Sequence, residues 1–251
     1  MEAIILGSGS KGNSALIITN TKKVLIDVGF SFPKTKMILE KYNIKPKDID
    51  FILLTHSHKD HIAGLSSFTK KEKKHVYIPK DMYKEVNKLV DADYIIPISN
   101  DEFIVDDLRI KFLYTSHDAI SSVGFLLEDT NSLIYMTDTG YISKKNLKYM
   151  YDKNIYILES NHDPKMLMDG PYPRYLKERV ISDKGHLSNN TTAKYLKKII
   201  SQNTKYVVLA HLSETNNCEE LALKAIKDEE IDKDINILIA KQHEETIMIE
   251  V

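Results

Sequence analysis

The chain has 251 residues, a formal net charge of −1, 42% hydrophobic and 28% charged residues, and one cysteine. That balance excludes a disordered chain and gives no global attraction to nucleic acid, so a polyanionic ligand must be held by local groups and bound cations. No stretch approaches the roughly 20 apolar residues of a membrane span, the start MEAIILGSGSKGNS lacks a signal-peptide pattern, and the lone Cys218 precludes an internal disulfide. The expectation is a cytoplasmic protein without membrane attachment.

No linker, low-complexity tract or repeat interrupts the chain, and 1–251 reads as one domain. Apolar and β-branched runs predict strands at Ala3–Leu6, Ala15–Thr19, Lys23–Asp27, Phe51–Thr55, Val76–Ile78, Leu108–Tyr114, Val123–Leu127 and Ser132–Thr137. Further strands are predicted at Ile155–Leu158, Tyr206–Ala210, Ile235–Ala240 and Thr246–Val251. Polar starts and a 3.6-residue apolar period predict helices at Pro33–Lys41, His61–Phe68, Lys80–Leu89, Asn189–Ile200 and Cys218–Lys227. Strands with helices between them imply an α/β (α+β) arrangement of sheets covered by helices. The charge run Lys70-Lys71-Glu72-Lys73-Lys74 reads as a solvated helix end and is given no role.

Polar residues out of keeping with their surroundings sit just after strand ends: His56 after FILLT, Asp138 after LIYMT, Asn161 after YILES and His211 after VVLA. Rigid strands aim short loops into a common cleft, so these residues are expected to converge. The strongest local signal is His56-Ser57-His58-Lys59-Asp60-His61. Three imidazoles and a carboxylate so close together suit borderline divalent metals such as zinc, which take nitrogen and oxygen ligands. The bland alternative is a polar loop with surface histidines. His117, Asp138 and His211 are weak signals alone. A solvated loop histidine, a helix cap and a satisfied buried histidine would explain them, but the first motif raises all three.

That ordered series, His56-Ser57-His58-Lys59-Asp60-His61, His117, Asp138 and His211, resembles the ligand series of the metallo-β-lactamase superfamily. Within it the chain is similar to the WalJ/YycJ group. The finer matches are Gly7-Ser8-Gly9-Ser10-Lys11-Gly12-Asn13, Ser116-His117-Asp118, Met136-Thr137-Asp138-Thr139-Gly140-Tyr141, Glu159-Ser160-Asn161-His162-Asp163, Gly185-His186-Leu187-Ser188-Asn189, and His211-Leu212-Ser213 with Asn216-Asn217. The resemblance implies a four-layer αββα sandwich with two divalent ions, zinc or manganese, at the sheet edges. His56, His58 and His117 would hold one ion, Asp60, His61 and His211 the other, and Asp138 would bridge them. Asp27 would orient a ligand histidine from behind; its alternative is a plain strand-end turn. The group implies a nuclease, a 5′-to-3′ exonuclease linked to DNA repair.

Several loop residues could grip a substrate. Ser8, Gly9, Ser10 and Asn13 lie in a small-residue loop whose backbone N–H groups could approach a phosphate, although a tight turn explains it equally well. Asn161, His162, His186, Ser188 and Asn216 are uncharged or switchable donors suited to a phosphodiester already neutralised by metal. Asp60 could accept a proton from water, and His162 or His186 could protonate a leaving alkoxide. Ser188 or Asn189 could instead cap the next helix. The leading expectation is a metal-dependent phosphodiesterase acting on DNA ends; the alternatives are a thioester or lactone hydrolase of the glyoxalase type and a non-catalytic metal protein. The short stretch from Asp138 to His211 has no room for the inserted domain of RNase J-like enzymes. Leu158 stands where RNase Z-like enzymes carry a histidine before the glutamate, so tRNA processing is not expected.

Overall fold

The computed structural model describes residues 1–231 and 234–251. In chain order the strands are β1 (Glu2–Gly7), β2 (Ser14–Ile18), β3 (Lys23–Ile26), β4 (Phe51–Leu53), β5 (His75–Pro79), β6 (Ile95–Ile98) and β7 (Glu102–Val105). They continue with β8 (Leu108–Tyr114), β9 (Val123–Glu128), β10 (Ser132–Met136), β11 (Ile155–Glu159), β12 (Tyr206–Ala210), β13 (Asn236–Ile239) and β14 (Ile249–Glu250). One sheet runs β14-β1-β2-β3-β4-β5-β6, the other β13-β12-β11-β10-β9-β8-β7. Each mixes an antiparallel meander with a parallel half: β3 to β6 in the first, β10 to β13 in the second.

Most strands are apolar on both faces, and the alternation of side chains sorts them into layers. Ala3 and Ile5 of β1 and Ile155 and Ile157 of β11 meet between the sheets, with Phe125 and Tyr135. The neighbours Ile4 and Leu6 face outward onto helices α1 (Phe32–Lys41) and α3 (Leu65–Glu72) through Leu39 and Phe68. On the far side Tyr156 and Leu158 pack under α8 (Asn189–Ile199) and α9 (Glu219–Asp228) through Leu196 and Ile226. Three apolar layers separating helix, sheet, sheet and helix make the four-layer αββα sandwich.

The departures from the predicted elements are local. The helix expected over His61–Phe68 is two, α2 (Lys59–Ile62) and α3, parted at Gly64. There the Gly64 N–H donates to the Val28 carbonyl at 2.8 Å, and a Cβ would lie 1.8 Å from the Phe30 carbonyl oxygen. Lys80–Leu89 forms a 3-10 turn and the short α4 (Tyr83–Val86). Strands β6 and β7 were not expected: Pro97 argues against a strand, yet β6 is an edge strand, where a proline is tolerated. Also unexpected are α5 (Lys144–Met150), α6 (Pro164–Asp169) and α7 (Arg174–Ile181), which run to seven, six and eight residues.

The sheets are tied at one rim. Val123 N donates to Thr55 O at 3.0 Å, and His211 N donates to Ser8 Oγ at 2.9 Å. The C-terminal ends of the parallel strands β3, β4, β10, β11 and β12 lead into this rim. The layer between the sheets carries the fold, so Phe125→Ala should lower stability by about 3–5 kcal/mol in urea denaturation, whereas Ile104→Ala on the exposed edge should stay within about 0.5 kcal/mol. Equal effects would contradict this division.

Candidate metal centre

The His56–His61 loop follows β4 and is held by backbone bonds to neighbouring turns. Asn13 N donates to Asp60 O at 2.8 Å and Val28 N to His61 O at 2.9 Å. Gly29 makes this approach possible, since a Cβ there would lie 1.9 Å from the Asp60 carbonyl oxygen. Three other strand ends turn sharply. Asp27, Asp138 and His211 have φ of 58°, 56° and 57°, a left-handed conformation that Asp and His tolerate better than β-branched residues do. The turns direct their side chains across the rim rather than along the strands.

The side chains converge as the sequence motif implies. Single ligand atoms of His56, His58 and His117 lie within 4.8 Å of one another, as do those of Asp60, His61 and His211. Asp138 stands between the two groups: its Oδ2 is 3.3 Å from His61 Nε2, and its Oδ1 is 3.5 Å from His211 Nε2 and 3.8 Å from His117 Nε2. His56 Nε2, Asp138 Oδ2 and His211 Nε2 are buried and make no hydrogen bond. Buried polar atoms rarely lack a partner, and a nitrogen and oxygen set with atoms left open is what a borderline divalent cation fits.

A second set of groups orients the first. His61 Nδ1 is 2.7 Å from Asp27 Oδ2, and Asp27 also accepts from Thr55 N and Thr55 Oγ1, each at 2.8 Å. The imidazole is thereby turned with Nε2 toward Asp138. Glu159, at the end of β11, does the same for two rings: its Oε1 is 2.7 Å from His186 Nδ1 and 3.1 Å from His211 Nδ1. Thr139 N and Leu187 N donate to its other oxygen at 2.9 and 3.2 Å. Asn161 Nδ2 donates to the His211 carbonyl at 2.9 Å. Such carboxylate–histidine pairs fix ring orientation and raise ligand basicity.

The electrostatics follow from burial. Burial opposes ionisation of Glu159, but the charge of His186 and hydrogen bonds from His186 and His211 hold its carboxyl at about 2. Burial likewise opposes ionisation of Asp138, yet His211 and His61 keep it well below the usual carboxylate range. Asp60 is also lowered: burial works against this, and the neighbouring imidazoles of His211 and His61, 4.0 and 3.5 Å away, prevail. In return, against burial, Asp138 with Asp60 and Glu159 pushes His211 up to about 10, and Asp27 and Asp138 hold His61 well above its usual value. His56 is pushed well down by burial and by the neighbouring His61. An anionic Glu159 accepts protons only, so His186 and His211 must present Nδ1–H to it.

The substrate loops differ from expectation. The N–H groups of Ser8, Gly9, Lys11, Gly12 and Asn13 donate to Lys241 O, Asn13 Oδ1, Gln242 Oε1, Gly9 O and Asp60 O, so they form an internal turn and not a phosphate cradle. Ser8 Oγ serves His211 N, Ser10 Oγ reaches Gln242, and buried Asn13 donates to Asp60 Oδ2 at 3.2 Å. His162 is almost fully buried, Nδ1 has no partner, and burial lowers it to about 4, so at neutral pH the ring is uncharged and a poor acid for a leaving alkoxide. Ser188 caps α8 through Thr191 N at 3.3 Å, and Asn216 is buried against Ser213. Of the expected substrate contacts, His186 is part-exposed and beside the centre, its ring stacked on His211 at 5.3 Å.

The sequence assigned no role to Glu159, although it stands in the Glu159-Ser160-Asn161-His162-Asp163 match, or to the rim pair Asp118–Arg179. Arg179 Nη2 and Nε donate to Asp118 Oδ2 at 2.6 and 2.9 Å, and Asp118 Oδ1 lies 3.4 Å from His117 Nε2. Asp118 was visible in the Ser116-His117-Asp118 motif; nothing linear pointed to Arg179.

Residues 22–212 match the family model described as a beta-lactamase superfamily domain. The chain is 35% identical over 228 residues to the exodeoxyribonuclease WalJ of Streptococcus pneumoniae, covering 87% of this chain and 84% of that one. It is 34% identical to the exodeoxyribonuclease YycJ of Bacillus anthracis, again over 228 residues, with 88% and 86% covered. The crystal structure of the metallo-beta-lactamase fold protein YhfI from Bacillus subtilis aligns over 100% of both chains with a TM-score of 0.75 at 17% identity, a likeness of fold alone. With the His/Asp clusters at the rim of that fold providing a divalent-metal site, the chain belongs to the metallo-β-lactamase superfamily, alongside the WalJ and YycJ proteins.

Proposed function

We propose that the chain is a metal-dependent nuclease that hydrolyses phosphodiester bonds, degrading DNA from a 5′ end with two divalent ions, zinc or manganese, per chain. The observation that carries this reading is the pair of donor groups meeting at Asp138, with His56 Nε2, Asp138 Oδ2 and His211 Nε2 buried and unpartnered. The identity to the WalJ and YycJ exodeoxyribonucleases over most of both chains supports the substrate. The reading extends to a single-domain, cytoplasmic enzyme acting in DNA repair.

In this assignment His56, His58 and His117 would hold one ion and Asp60, His61 and His211 the other, with Asp138 shared between the two groups. Bound there, the cations would polarise the phosphodiester and lower the pKa of an attacking water. The chain supplies the rest. Asp60, part-exposed beside His61, is the carboxylate placed to take a proton from the attacking water. His186, held through Nδ1 by Glu159, keeps Nε2 for the leaving alkoxide and replaces His162 as the proton donor. Arg179, half-exposed on Asp118, stands where it can exchange that carboxylate for a substrate phosphate. A thioester hydrolase with the same ligands would need no such donor, because a thiolate leaves unaided. The Glu159–His186 pair therefore favours an oxygen leaving group.

Digestion of end-labelled single- and double-stranded DNA and RNA, with zinc or with manganese, tests the assignment. A 5′ label should leave first as a short product while a 3′-labelled strand shortens progressively. DNA left intact under both metals, with a thioester or lactone hydrolysed efficiently, would overturn the reading. Asp60→Ala should abolish DNA hydrolysis with the far-ultraviolet circular dichroism unchanged; near-normal turnover would place the site elsewhere. Glu159→Gln and His186→Ala should each cut DNA turnover by about ten- to a hundredfold, and His186→Ala should cost less on an activated ester whose leaving group needs no proton. Equal loss on both substrates would remove the proton-donor role.

A further inference from the structure

Against the loops that carry His117 and Asp138 lies a cleft of 290 Å³ lined by Tyr114, Tyr141, Tyr149, Lys111, Lys145 and Ser116 among others. The three tyrosines are 44%, 46% and 37% exposed, unusual for large rings gathered around one cleft. Their mounting is firm. Tyr114 ends β8 and its carbonyl accepts from Asn146 Nδ2 at 2.8 Å; the Tyr141 carbonyl accepts from Thr139 Oγ1 at 2.7 Å. Gly140 N donates to Ser116 O at 2.9 Å and Ser116 N to Thr139 Oγ1 at 3.2 Å, joining the loop that carries His117 to the one that carries Asp138. The cleft wall and the metal centre are therefore two sides of one rigid unit.

The surroundings are basic in a chain whose net charge is −1. Lys144, Lys145 and Lys148 are exposed on α5, and among the described residues no Asp or Glu lines the cleft. Lys111 Nζ sits 4.2 Å from the Tyr149 ring centroid. Lys145 and Lys111 pair with Asp101 at 2.9 Å and Glu102 at 3.0 Å, outside the cleft. The Lys145–Asp101 pair is solvated and hence weak, so it can yield to a phosphate. Aromatic faces set among lysines are how proteins hold single-stranded nucleic acid, since every base offers a ring to stack and every nucleotide a phosphate.

We propose that Tyr114, Tyr141 and Tyr149 form a stacking site for one unpaired nucleobase of the strand whose phosphate occupies the metal centre. The proposal rests on the nuclease reading and adds a cause for sequence tolerance: an enzyme that removes successive nucleotides must hold any base, and stacking does so where hydrogen-bond readout would not. Ser116 adds a hydroxyl that can donate or accept and so tolerates any base edge.

The test measures KM on a short single-stranded oligothymidylate and on versions with one abasic residue moved inward from the end, for wild type, Tyr149→Ala, Tyr141→Ala and Tyr149→Phe. In wild type one abasic position should raise KM about tenfold, the size of one base stack. Tyr149→Ala and Tyr141→Ala should raise KM for the intact strand by about as much and lose the discrimination. Tyr149→Phe, which keeps the ring, should retain both. If wild type digests the intact strand yet no abasic position matters, or if the alanine variants discriminate as wild type does, the stacking site is wrong and the nuclease reading stands. If wild type digests no strand under either metal, the nuclease reading fails and the stacking site falls with it.

Discussion

Burying negative charge is the constraint on which this rim is organised. Asp27, Asp138 and Glu159 have almost no contact with water, and an unanswered buried carboxylate would lose its proton only at great cost. Asp27 and Glu159 are met instead by imidazoles and by backbone or hydroxyl donors at the ends of strands, and Asp138 by the imidazoles around it. Asp27 and Glu159 face ring nitrogens whose other sides point inward, so the outer carboxylates set the direction of the inner nitrogens. What remains in the middle is Asp138 with nitrogens around it and atoms that nothing in the chain satisfies. A cation completes such a cluster, and the family to which the chain belongs supplies the same conclusion independently.

The sandwich delivers these groups because parallel strands end on one edge. Strands β3 and β4 of one sheet and β10, β11 and β12 of the other present their C-terminal ends to the same rim, and hydrogen bonds such as Val123 to Thr55 and His211 to Ser8 lock the sheets there. Left-handed residues at three strand ends then aim the side chains. The interior between the sheets is apolar and tight, so the rim geometry rests on a rigid base.

The inner ligands were legible because their signals are local or stand out against apolar strands: the His56–His61 cluster is contiguous, and Asp138 and His211 each close a run of hydrophobic residues. Glu159 was not, although it too ends such a run, because its partners His186 and His211 become neighbours only when β11 settles between β10 and β12. Of the two readings of the glycine-rich loop, the tight turn prevails for a related reason. Gly12 is needed because a Cβ would come within 2.4 Å of the Phe30 ring, a packing demand that reads in one dimension just like a phosphate cradle. Helices α5 to α7 escaped because capping residues such as Ser143 and Asp163 start them, while few apolar residues mark their period. His162 looked like its neighbour His186 in sequence, and only burial separates the two.

The claim at the centre of this account is that the cluster around Asp138 holds two cations and that this carboxylate joins them. Elemental analysis of the purified chain beside its Asp138→Ala variant, each dialysed against metal-free buffer and checked for folding by circular dichroism, measures it directly. The account predicts close to two divalent ions per chain in the native protein and the loss of at least one in the variant. A single tightly held ion in both proteins would contradict it.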